Sequence, residues 1–163
     1  QPEAAALMLS SDNEAALALV RDSDPLLAPP WRIMYRLLQA EPGLAAKLLA
    51  EFHRRGETVL VVETMAYFAY DKNRLGRSSQ FSISLENNGR FLSSLLRMEG
   101  EEWLQARLVE SVGIYRHRVM AGDVGSDILE RYRETLDAAV ATLASQETRM
   151  GLEGVIRRAF ASS

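Results

Sequence analysis

The chain has 163 residues, with 19 Lys+Arg against 22 Asp+Glu, a formal net charge of −3 and no cysteine. A length near the usual domain size reads as one domain over 1–163, and 47% apolar with 25% charged residues excludes disordered, collagenous and coiled-coil classes. Zero cysteine excludes disulfide scaffolds, thiolate zinc sites and cysteine nucleophiles, and a mildly acidic balance gives no electrostatic footprint for nucleic acid.

Residues 3–21 are rich in Ala and Leu, and Ser11 with Glu14 has capping-box spacing, which predicts an amphipathic N-terminal helix. Three prolines and two aspartates make residues 22–30 a loop. A short helical stretch follows over 31–38. Pro42 then suits a helix start, and Leu44, Leu48, Leu49 and Phe52 form an apolar stripe that ends at Arg54, Arg55 and Gly56. From Glu57 the residues are β-branched and aromatic with no helical period, which predicts a strand over 58–63 and a second strand or a turn over 65–70. Residues 71–79 read as an exposed connection whose basic residues are solvated. Phe81, Ile83 and Leu85 alternate with Ser82 and Ser84, the period of a half-buried strand.

The helical period returns at Gly89. Phe91, Leu92, Leu95, Leu96, Trp103, Leu104, Leu108, Val112, Tyr115 and Val119 line a stripe over about 89–120, with Gly100 and Gly113 as points for a kink or a break. Residues 121–125 form a loop, Asp127 and Glu130 open another helix, and a short last helix covers about 150–160. The expected fold is α+β: a mostly helical single domain with a small antiparallel sheet over about 58–86 packed on a long central helix over about 89–120.

No glycine-rich phosphate loop, dinucleotide fingerprint or nucleophile elbow is present, so nucleotide and serine-hydrolase chemistry have no support. The only two histidines, His53 and His117, fall in separate elements, each with a solvated or interhelical role as its default. The segment from Leu95 to Ala106 is more informative, because it sets an acidic cluster in an apolar stripe. On helical spacing Glu99 and Glu102 share a face, Glu110 lies two turns beyond Glu102, and Glu99 is flanked by Leu92, Leu95, Leu96 and Trp103. An inward carboxylate needs a partner. It is either an ion pair with an arginine such as Arg97 or Arg107, or a ligand or general base in a cleft.

The order of these elements, with an Ala-Tyr-Phe-Ala-Tyr-Asp stretch at 66–71 and a Leu-Glu-Asn-Asn stretch at 85–88 before a long helix, resembles zincin-type metallopeptidases of bacteria. In that family the long helix carries a His-Glu-x-x-His motif, often followed closely by Gln. The resemblance sets Met98 at the first His, Glu99 at the catalytic Glu, Glu102 at the second His and Gln105 at the Gln, and it implies a zincin-like fold with a degenerate site. A zinc site needs three protein ligands, and a thioether at Met98 does not replace a histidine.

The expectation is therefore a noncatalytic, metallopeptidase-like domain that binds or regulates, with no metal and no other cofactor. Its ligand-binding surface would include Glu102, Gln105 and Glu110. Two alternatives stand beside it. One is a metal-dependent hydrolase in which Glu99 is catalytic and zinc is held by a nonstandard carboxylate site that also draws on Glu110 or His117. The other is a helical interaction, chaperone or immunity-type module with an apolar face over 90–120. A protein or peptide partner is expected, without nucleic acid and without a membrane span. Nothing resembles an intact signal peptide, which favours the cytoplasm, and a start at Gln1 keeps a processed secreted form open.

Overall fold

The computed structural model describes residues 37–54, 56, 61 and 83–161. The helix expected over 3–21, the loop over 22–30, the second strand over 65–70 and the connection over 71–79 lie outside the described residues.

Five helices follow one another in the described residues: α1 (Pro42–Arg54), α2 (Leu85–Glu99), α3 (Glu101–Met120), α4 (Asp127–Val140) and α5 (Gln146–Ala161). A helical turn over 37–40 precedes α1, and Leu37 and Leu38 in it are buried. Pro42 does start α1, because a residue at this position has no intrahelical partner for an amide hydrogen. The helix ends in His53 and Arg54, with Gly56 beyond them at φ +81° donating its amide to the His53 carbonyl at 3.1 Å.

The expected α+β, zincin-like architecture is overturned: the described residues contain no strand, and the fold they form is helical. Two places in the expected sheet account for the error. Val61, in the middle of the first expected strand, is helical and 1% exposed, within the core. Burial there overrides its β-branched preference. In the last expected strand, Ser84 is an N-cap whose Oγ accepts from the Asn87 amide at 3.1 Å, so Leu85, Glu86 and Asn87 form the first turn of α2. Alternation of Phe81, Ile83 and Leu85 imitated a strand, but Leu85 is half exposed. The true period begins after it: Asn88, Phe91, Leu92 and Leu95 are buried at spacings of three and four.

The long helix expected over 89–120 breaks in two at the first of its two candidate glycines. Gly100 adopts φ +93° and ψ 165°, which ends α2 and starts α3. Gly113 interrupts nothing. Asp127 opens α4 as expected, behind Ser126 as N-cap. The last helix is longer than expected because Ser145 caps it, its Oγ accepting from the Thr148 amide at 3.2 Å.

α1 packs most extensively on α2, α3 packs on α5, and α4 contacts both α5 and α2. One core runs through them, built from Leu48, Leu49, Phe91, Leu92, Leu95, Leu104, Leu108, Tyr132, Leu136 and Leu152. Tyr115 of α3 meets Tyr132 of α4 edge to face, with centroids 4.7 Å apart. Arg116 donates from Nη2 to the carbonyls of Ala159 and Phe160 at 2.7 and 3.1 Å, closing the C-terminal end of α5 against α3.

Candidate functional site

The acidic cluster expected to form one site is dispersed. Because Gly100 breaks the helix, Glu99 is the last residue of α2 and Glu102 the second of α3, so the three-residue spacing no longer places them on one helical face. Glu99 turns to α1: its Oε1 accepts from Arg54 Nη1 at 2.5 Å, while Glu51 holds the same guanidinium from Nη2 at 3.0 Å. Arg54 is 54% exposed, and a pair this open contributes at most about 1 kcal/mol. Its partner is Arg54 rather than Arg97 or Arg107. Glu102 is exposed, and so is Met98, at 41%, which makes it neither a core methionine nor a residue in an enclosed site.

Gln105 and Glu110 are committed elsewhere. Gln105 donates from Nε2 to Glu101 Oε2 at 3.1 Å, and this pair lies over Gly151 of α5, where a Cβ would stand 3.0 Å from the Glu101 oxygen. Glu110 Oε2 accepts an ion pair from Arg107 Nη1 at 3.3 Å. Among the described residues no group of three or more His, Asp and Glu side chains converges on a point that would hold a metal ion. The expected ligand set therefore shares a helix but not a direction.

What does converge is a structural cluster between α1 and α3. His53 Nε2 contacts Arg107 Nη1, and the imidazole meets Trp103 edge to face with centroids 5.5 Å apart. The Arg107 guanidinium lies 5.9 Å from the Trp103 ring centroid. These groups tie the end of α1 to the first turns of α3. His117, the other histidine, is exposed far along α3 and does not join them. Sequence reading named Arg107 as a partner for Glu99 but missed its contact with His53, 54 positions away, for which no local signal exists.

An open cleft lies where α2 passes the end of α4, lined by Leu85, Glu86, Gly89, Arg90, Ser93 and Thr142. Glu86 and Arg90 in it are paired with each other at 2.5 Å, four residues apart on exposed helix, an ordinary surface pair.

A different surface stands out on α3. Its inner side buries Leu104, Leu108, Ser111, Val112 and Tyr115, as a packed helix must. Its outer side exposes Glu102, Ala106, Val109, Gly113, His117 and Met120, which follow the helical period at steps of three and four. Val109 is 52% exposed and Met120 77%. Over five turns that stripe holds one carboxylate and one imidazole, both near its ends. A solvated helix face carries charges throughout its length. Among the described residues no helix is long and apolar enough to cross a membrane.

Comparison of the chain with family models, curated proteins and solved structures finds no match to any of them.

Proposed function

We propose that this chain is a noncatalytic helical interaction module that docks a protein partner on the outer face of α3. The observation that carries the reading is the low charge of that face between Glu102 and His117, with Val109 at its centre. The dispersal of the carboxylates supports the noncatalytic half: Glu99 is tied to Arg54, Gln105 to Glu101 and Glu110 to Arg107. A hydrolase reading needs a base and a polarising group aimed at one point, and these side chains have no such point in common.

The test is light-activated crosslinking in cells that make the protein, with a photoreactive amino acid in place of Val109 and, as a control, in place of the exposed Glu153 on α5. Position 109 is expected to give one or a few discrete adducts and position 153 none. Equal, diffuse labelling from both positions would remove the basis for this reading.

A further inference from the structure

The geometry points to a second copy of this chain as the occupant of the α3 face, with the two α3 helices packed antiparallel about a two-fold axis. This rests on the reading of that face as a docking surface and names its partner. In a two-fold pair every contact is reciprocal, so a single face must be complementary to itself. The exposed stripe of α3 meets that condition in one antiparallel register. Setting Glu102 of each copy against His117 of the other also sets Ala106 against Gly113 and brings Val109 beside its own symmetry mate at the axis.

Each part of that register has a physical reason. The two polar members of the stripe differ in character and sit near opposite ends, so antiparallel pairing brings an acid to a basic ring at both ends, whereas parallel pairing would set Glu102 against Glu102. The ends of α3 are also opposite in sign, with Glu101 and Glu102 in its first turn and His117 and Arg118 in its last, and antiparallel helices align these ends favourably. Between them the small side chains of Ala106 and Gly113 let two backbones approach within the 8–10 Å of packed helices.

Gly113 adds an independent point. It lies in mid-helix, exposed, and a Cβ built on it would meet nothing within 4 Å. Glycine there costs the helix about 1 kcal/mol relative to alanine, and among the described residues no contact requires it. A second backbone packed on this face would use the space that it leaves.

A helix of 20 residues spans about 30 Å, so this contact falls in the small class of interfaces, and association is to be sought at micromolar concentration.

The experiment is sedimentation of the full chain across the micromolar range, with circular dichroism of every variant as a check of fold. The parent is expected to pass from monomer to dimer and to stop there, since a two-fold contact is closed. Val109→Arg and Gly113→Glu raise the concentration of half-association at least about tenfold. Glu102→Lys weakens the dimer, and adding His117→Glu restores it. Because the chain has no cysteine, Val109→Cys supplies one thiol beside the axis, and mild oxidation then yields a covalent dimer while Glu153→Cys does not. A chain that stays monomeric throughout, or a dimer indifferent to Val109→Arg, overturns the pairing. In that event a crosslink from position 109 to a different protein would still uphold the docking surface, and absence of any crosslink would remove both.

Discussion

Replacing Gly89 by alanine is expected to destabilise the chain by about 2 kcal/mol, although glycine to alanine inside a helix ordinarily gains about 1 kcal/mol. Gly89 sits on the buried side of α2, and a Cβ there would stand 2.1 Å from Thr142 Oγ1 and 3.1 Å from Thr142 Cβ. Thr142 has little room to give, because its hydroxyl donates to the Ala139 carbonyl at 2.6 Å at the end of α4. Turning the side chain leaves Thr142 Cβ where it is, still 3.1 Å from the added carbon. One of the two segments has to move, and overpacking of this kind costs about 1–3 kcal/mol. Urea titration of Gly89→Ala, Thr142→Ala and the double variant checks this. The double variant should recover most of the loss, since only the Cβ contact remains. If Gly89→Ala were as stable as the parent, α2 and α4 would not meet at this point.

Gly100→Ala is expected to cost about 3 kcal/mol for a different reason. Nothing lies within 4 Å of a Cβ at this position, so no clash is involved. The backbone itself excludes an L side chain, because φ +93° with ψ 165° belongs to a region that is essentially glycine only. A D-alanine placed there by semisynthesis should be tolerated, since the mirror image of this conformation is an ordinary extended one. Thermal unfolding of the L and D forms separates backbone strain from loss of contacts. Equal stability of the L form would mean that the helix runs straight through position 100, returning Glu99 and Glu102 to one face.

That glycine also marks the boundary between what local sequence reveals and what it does not. Pro42, the stripe through Phe52, the loop at 121–125 and the start at Asp127 are local signals, and each appears where the residue chemistry places it. Gly100 and Gly113 were equal candidates for a break, and only the chain's path decided for the first. The expected sheet failed for the opposite reason. Alternation through Leu85 is a period of two over a few residues, which a capped helix start such as Ser84 to Asn87 imitates. Burial of Val61 within a helix is a tertiary fact that its neighbours do not announce.

The candidate site was legible to the same extent. An inward Glu99 with an arginine partner follows from its apolar neighbours in sequence. The identity of that partner, Arg54 at 45 positions distance, follows only from the packing of α1 on α2. The resemblance to a zincin motif placed Glu99, Glu102 and Gln105 on one helix by counting alone. A backbone break and the turn of α3 then sent them toward α1, solvent and α5 in turn.

Whether these carboxylates hold helices together or do chemistry is tested most directly by elemental analysis. The protein is equilibrated with zinc, desalted and compared with a Glu99→Gln, Glu102→Gln variant. The dispersed donor set predicts no zinc above background in either protein. Near-stoichiometric zinc in the parent, lost in the variant, would contradict it and return the site to catalysis.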